Sequence, residues 1–399
     1  MENNEFKLKD ISVVIPSYNN LEYLKLIYQS IRDVTDEVEL LLYSDGSTDG
    51  TEEWLSTLED KNAVICALKD RVGHTILYDR GFNQAKGSII GILHADMVVG
   101  HNFFNNILKY IKQGTVVCGT CIEPPLHPPG GEKIIKDFGL YPAEFNQVDF
   151  NNYTEDIAKK SAGEINESIF APWFILKDEY LSKIGSHDQS YAPYGYEDSD
   201  LFSRMALAGF SFIQSRDAFV YHFTQRGHKW TKGVGIENDG YKEQMDKTRK
   251  IYIRKFGTDP IFDYNHKPVP APKFDVGFII KGSEGLIEFL EPWCLTLYTD
   301  TDCTNFIKKE QLSKSFDLQK KIKSLNAEKE NSILVSIDER TFADNDFQII
   351  QQLPIIIQDS GEVGEFQINN LTLTIKDLTE YQNNLIYYPY EQTRRTNLP

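Results

Sequence analysis

The chain has 399 residues and carries 42 Lys and Arg against 59 Asp and Glu, a formal net charge of −17. That acidity argues against nucleic-acid binding and polybasic membrane contact, both of which depend on Lys and Arg meeting phosphates. With 41% hydrophobic and 12% aromatic residues, the chain has material for sizeable cores and is not disordered.

The first 120 or so residues alternate strand and helix patterns. Ile11 to Ser17 is a β-branched run of the buried-strand type, and Leu21 to Val34 carries a helical apolar stripe. Val38 to Tyr43 reads as the second strand, and Asp49 can cap a helix reaching Thr57. Strands are predicted over Ala63 to Leu68, Ser88 to Leu93 and Thr115 to Cys118, with helices over His74 to Ala85 and Phe103 to Ile111. Such alternation implies a mostly parallel sheet with helices on both faces. Ligands of such sheets sit outside the carboxyl ends of the strands. The polar clusters Pro16-Ser17-Tyr18-Asn19, Ser44-Asp45-Gly46-Ser47 and His94-Ala95-Asp96 each follow a strand directly, so they should gather at one edge.

Glu123 to Glu132 (EPPLHPPGGE) reads as a loop leaving the sheet for a substrate-facing section. Beyond it come a helix over Tyr196 to Ala208, a strand over Phe210 to Phe223 and a long charged helix over Ile236 to Phe256. The expected organisation is a first domain over 1–262, with a nucleotide half at about 8–122 and an acceptor half at about 123–262. A Pro-rich linker over 263–273 leads to a small α/β domain over 274–399. That domain is read as strands at Phe274 to Ile280, Leu295 to Tyr298, Ile333 to Ile337 and Glu365 to Lys376. Its helices are read at Gly285 to Phe289, Thr304 to Lys329 and Phe347 to Gln358, the last broken by Pro354. The domain holds no motif assignable to chemistry.

Five cysteines in so long a chain do not suggest a disulfide framework, and the polar start MENNEFKLKD does not read as a signal peptide. No apolar run approaches the ~18 residues of a membrane span. The expectation is a cytoplasmic protein without a transmembrane segment; oligomeric state is not legible. The spacing Cys118-Gly-Thr-Cys121 lacks the helix start of a redox motif and the further ligands of a zinc site. P-loop and dinucleotide fingerprints are absent.

The residues after the strands suggest one chemistry. Asp45 can accept from a base N–H, Asp96 can hold a divalent ion on a diphosphate, and Glu197-Asp198 open a helix where a carboxylate can act as general base. His222 ends a strand and can be a second metal ligand; Arg226, His228 and Lys229 follow and can offset a leaving phosphate. Tyr191, Tyr194 and Tyr196 either line a sugar site or pack.

Together, VVIPSYNN at 13–20, YSDGSTDGT at 43–51, ILHADM at 92–97 and GYEDSDLFSR at 195–204 resemble the family 2 glycosyltransferases, in order and spacing, over residues 8 to 257. The resemblance implies a GT-A (Rossmann-like) fold and transfer of a sugar, with inversion, from a nucleotide-sugar donor to a hydroxyl acceptor, a glycan or another. It implies that Pro16, Tyr18 and Asp45 hold the nucleoside, commonly of UDP, and that Glu197, Arg226 and Lys229 serve substrate binding. Asp96 is then the last residue of the metal motif, His222 completes a Mn²⁺ (or Mg²⁺) site, and Asp198 is the base. Two positions depart from the family pattern: Ser44 stands where a first acid is usual, and His94 replaces the first acid of the metal motif. His94 is expected to orient Asp96 or the ribose. A nucleotidylyltransferase would need a Gly-rich basic loop after the first strand, where Pro16-Ser17-Tyr18-Asn19-Asn20 stands. The alternative is a non-catalytic binding or scaffolding protein on a degenerate transferase fold.

Overall fold

The computed structural model describes residues 6–311, 316–380 and 385–390. The remaining short segments, including 312–315 of the predicted helix Thr304 to Lys329, lie outside the described residues. Contacts divide the chain into two units. One comprises residues 6–245, 262–269 and 387–390; the other comprises the described residues of 246–261 and 270–386.

The first unit opens with β1 (Ile11–Ser17), α1 (Leu21–Val34), β2 (Glu39–Asp45), α2 (Thr51–Leu55), β3 (Ala63–Leu68), α3 (His74–Gln84) and β4 (Ile89–Ile92). β1 and β2 are buried along nearly their whole length, as their unbroken apolar runs require. The strand order begins β3-β2-β1-β4, all parallel. Because parallel crossovers are right-handed, stepping outward to β3 and then back to β4 puts α3 on the face opposite α1 and α2. The reversal between β1 and β4 is a topological switch point, where a crevice opens at the carboxyl ends of the strands.

The rest of this unit runs through β5 (Met97–Val99), α4 (Phe103–Leu108), β6 (Thr115–Glu123), β7 (Lys133–Ile135), α5 (Gln147–Lys160), β8 (Ile165–Asn166), β9 (Trp173–Leu176), α6 (Lys177–Glu179), α7 (Glu197–Leu207) and β10 (Ser211–His222). The sheet continues β9-β6-β10-β5, with β7 beside β6 and β8 beside β10. Three features differ from the sequence reading. β6 runs on to Glu123, and the Pro/Gly segment returns as β7 instead of leaving the sheet. β9 enters antiparallel between β4 and β6. α5 buries Phe150 and Thr154 where no helix was expected.

The helix α8 (Tyr241–Phe256) starts five residues later than predicted and contributes to both units. Its second half buries Ile251, Tyr252, Ile253 and Phe256, and Ile253 joins the core of the second unit. The second unit therefore begins in sequence before the Pro-rich segment. It holds β11 (Val276–Lys281), α9 (Glu284–Leu290), β12 (Thr296–Thr299), α10 (Thr304–Glu310), α11 (Leu318–Lys321), β13 (Ile322–Ser324), β14 (Ile333–Asp338), α12 (Asp344–Ser360), β15 (Gly364–Ile368) and β16 (Leu371–Ile375). The order is β13-β12-β11-β14-β16-β15, parallel except for the final hairpin. Two predictions are corrected. The expected helix Thr304 to Lys329 is two short helices and a strand. α12 runs unbroken through Pro354, because burial of Ile350, Leu353 and Ile357 holds the helix across the missing N–H donor. The expected α/β fold, a mostly parallel sheet with helices on both faces and a second, smaller α/β unit, is thus present.

Candidate functional site

A cavity of about 350 Å³ opens at the switch point. Tyr18, Asp45 and Asp96, one from each strand-end cluster, line it together with Pro16, His94, Glu197, Asp198 and His222. The gathering predicted from strand ends is therefore observed.

At the β1–β2 side, the Asp45 carboxylate is buried and accepts from two backbone donors, Val72 N at 2.7 Å and Gly73 N at 3.0 Å. Burial pushes its pKa up, and the two N–H groups with Arg71 offset only part of that. Gly73 has φ +97°, and a Cβ there would lie 2.5 Å from Pro193 Cα, so only glycine fits this close approach. The Arg71 guanidinium lies 3.8 Å above the Tyr18 ring centre, a cation–π stack on the β1–β2 side of the cavity.

At the β5–β10 side, antiparallel pairing of Met97 with His222 and a bond from Phe223 N to the Asp96 carbonyl (3.0 Å) bring Asp96 and His222 together. His222 Nε2 lies 3.6 Å from Asp96 Oδ1. Asp96 Oδ2 accepts from Arg226 N at 3.1 Å. Burial favours the neutral acid at Asp96, but the His222 ring outweighs it and holds the carboxyl below its ordinary range. Burial and the neighbouring His222 push His94 down to about 3. Ligand atoms of His94, Asp96 and His222 lie within 4.8 Å of one another, a mixed N/O donor set that fits a divalent ion such as Mn²⁺. A second trio, Cys121, Glu123 and His222, shares that imidazole.

On the third wall, Tyr196 sits in the left-handed region (φ 63°) and turns the chain into α7. Glu197 and Asp198 follow at the helix start. Glu197 Oε1 lies 2.6 Å from His74 Nε2. Burial pushes the Glu197 carboxyl up, but His74 more than offsets it and takes it down to about 2. Asp198 has no such cation of its own: burial and then the Glu197 charge push it up to about 7. Tyr194, Tyr196 and Tyr241 line the cavity, while Tyr191 is buried and donates to Asp200 (3.3 Å). His228, pushed down to about 4 by burial and then by His74, also faces the cavity.

Two expected cations stand elsewhere. The Arg226 guanidinium is turned away from the cavity, donating to Tyr23 OH (3.1 Å) and to the Leu140 carbonyl (2.9 Å); what reaches the site is its backbone N–H on Asp96. Lys229 is not a lining residue, and its Nζ lies 5.3 Å from the centre of the Tyr241 ring. Three residues were not anticipated: His74, read only as a helix start; Arg71, in a loop; and Glu123, inside a Pro-rich run. Glu123 could have been found only by carrying the strand predicted over Thr115 to Cys118 on to its observed end, at the same edge as His222. Cys118 and Cys121 donate to the Ser168 and Ala171 carbonyls, and burial raises both thiols.

Residues 12–162 match the model of glycosyl transferase family 2. Among curated proteins, the chain is 24% identical over 253 residues to YfnE, an uncharacterized glycosyltransferase of Bacillus subtilis, covering 53% of this chain and 64% of that one. It is 35% identical over 121 residues to the undecaprenyl-phosphate 4-deoxy-4-formamido-L-arabinose transferase of Photorhabdus laumondii, covering 29% of this chain and 37% of that one. The chain thus spans less than two thirds of each of these relatives. Among solved structures, a mannosyltransferase of Pyrobaculum calidifontis in complex with GDP-Man and Mn²⁺ is 17% identical with a TM-score of 0.39, covering 62% of this chain and 61% of that one. No helix among the described residues is long and apolar enough to cross a membrane.

Proposed function

From residues 12–162 as a glycosyl transferase family 2 domain, we propose that the protein is a metal-dependent inverting glycosyltransferase. Its donor is a nucleotide sugar, UDP-linked, and its acceptor is a hydroxyl, of a glycan or another molecule. The observation that carries the reading is Asp198, a carboxylate in the cavity wall pushed up to about 7 beside a second carboxylate that stays ionised. A base poised near neutral pH is what a hydroxyl nucleophile requires. An already ionised phosphate acceptor has no use for one.

In this mechanism Tyr18 and Asp45 hold the nucleoside. The acceptor oxygen attacks the anomeric carbon from the side opposite the leaving group. The new C–O bond forms as the bond to the diphosphate breaks, and the hydroxyl proton passes to an Asp198 oxygen. His74 keeps Glu197 ionised and turned aside, so that Asp198 is left as the acceptor of the proton. Asp96 and His222 would hold Mn²⁺ (or Mg²⁺), which supplies Lewis-acid neutralisation of the departing diphosphate. The Lys229 side chain stands outside the cavity wall and has no step at the diphosphate end of the reaction. Arg226 serves it through its N–H on Asp96.

The test is a donor screen that measures nucleoside diphosphate release from several sugar nucleotides with and without Mn²⁺. Release from a UDP-sugar that requires the ion is the expected result. Absence of release from every donor, with the chain folded, would favour the non-catalytic alternative.

A further inference from the structure

We propose that Glu123, backed by Lys133, is a positioning residue that fixes His222 as a ligand facing Asp96. The proposal rests on the metal-dependent reading above. Glu123 closes β6 and is 2% exposed. Parallel pairing of Tyr221 with Ile122 lays His222 alongside it, and pairing of Cys121 with Lys133 brings the lysine in from β7. Glu123 Oε1 lies 3.0 Å from His222 Nδ1, and Glu123 Oε2 accepts from Lys133 Nζ at 3.0 Å. On its other side, His222 Nε2 is 3.6 Å from Asp96 Oδ1, beyond ordinary hydrogen-bond distance. A line of four groups, Lys133, Glu123, His222 and Asp96, therefore runs across three strands and ends at the cavity.

Each member uses its atoms in one direction. With Nδ1–H donating to the carboxylate, a neutral His222 ring, the form that ligates a metal, has its lone pair on Nε2, the nitrogen that faces Asp96. A carboxylate behind a ligating imidazole fixes its tautomer and ring orientation and raises its basicity. Lys133 neutralises Glu123, so the carboxylate is not left as an uncompensated buried charge. Cys121, also within reach of the His222 ring, donates its thiol to the Ala171 carbonyl (3.2 Å).

Glu123→Gln keeps the shape and reverses the polarity. Beside the Lys133 ammonium, the amide oxygen turns to the lysine and the NH₂ to His222. Nδ1 then becomes the acceptor, and the hydrogen moves to Nε2, the ligand side. The assay is Mn²⁺ binding to the full chain by water-proton relaxation, alone and with UDP, with thermal unfolding as a check on folding. The expected result is a ~10–100-fold loss of Mn²⁺ affinity, with UDP binding in the absence of metal unchanged. Glu123→Asp keeps the charge but withdraws it from Nδ1 by one methylene, so it should bind Mn²⁺ more tightly than Glu123→Gln and more weakly than the parent. A folded Glu123→Gln protein with Mn²⁺ affinity within about twofold of the parent would overturn the proposal and leave the glycosyltransferase reading standing. Should Glu123→Gln not fold, Glu123→Asp decides: weakened Mn²⁺ binding supports the proposal and parental binding overturns it. If the parent binds no Mn²⁺ even with UDP, the metal-dependent reading falls first and this inference with it.

Discussion

Replacing Asp198 by Asn tests the base without needing the natural substrates. Its carboxyl stands at about 7 in the folded chain against an ordinary 3.8, so between those values the folded state holds a proton that the unfolded state has lost. Stability rises with pH only where the unfolded state binds more protons; here the folded state does, so this group makes stability fall from about pH 4 to pH 7 and adds no further change above. At 1.36 kcal/mol per unit, the two units between pH 5 and pH 7 are worth at most about 3 kcal/mol. Solvent entering from the cavity reduces that figure. The Asn side chain does not titrate. Urea unfolding of both proteins at pH 5 and pH 8 should therefore show Asp198→Asn gaining on the parent by up to that amount at the higher pH. In the transferase assay the same variant should lose roughly 10²–10⁴ in turnover while still binding donor. A stability difference that does not change with pH would mean that Asp198 ionises as an ordinary surface acid, and near-normal turnover would remove it as the base.

Turnover of the parent should climb with pH up to about 7 and then level, because Asp198 must be ionised to accept the proton; a flat pH–rate profile from 5 to 8 would contradict this. Mn²⁺ affinity should be damaged most by Asp96→Ala, next by His222→Ala and least by His94→Ala, as read by water-proton relaxation; a largest loss at His94 would reverse the ligand assignment. Asp45→Ala strands the Val72 and Gly73 N–H groups and should weaken UDP binding by about 1–3 kcal/mol in calorimetry, with unchanged affinity counting against its nucleoside role. Gly73→Ala should lower stability by about 1–3 kcal/mol from strained backbone alone, more with the Pro193 collision, whereas thermal unfolding like the parent's would show that the loop can shift.

The first half of the fold was legible because β1, β2 and β4 are buried along nearly their whole length and read as continuous apolar runs. Rules of handedness then place their polar ends at one edge. β9 was not legible: Trp173–Leu176 is four residues long, and its place between β4 and β6 is a long-range pairing with no local mark. Pro354 misled because the penalty for proline in a helix is local, while the burial that overrides it is tertiary. At the site, charge type suggested the right neighbourhood for Arg226 but not its direction: the side chain left the cavity and the backbone N–H stayed. His74 could not be paired with Glu197 from sequence, since the two are 123 residues apart.

The return of the chain at Tyr388 bears on how α7 is seated. Tyr388 N donates to the Ile184 carbonyl, and the Tyr388 carbonyl accepts from Ser186 Oγ, 202 residues away in sequence. The carbonyls of Ile184 and Ser186 also receive the Arg204 guanidinium, which belongs to α7, the helix that starts with Glu197 and Asp198. The second unit is thus spliced into the chain ahead of a latch on the first. During synthesis that latch closes only after the whole second unit has been made, among the last and most non-local contacts to form. A nick or fusion just before Tyr388 would spare every residue of the cavity and still loosen the seat of the helix that opens with Glu197 and Asp198.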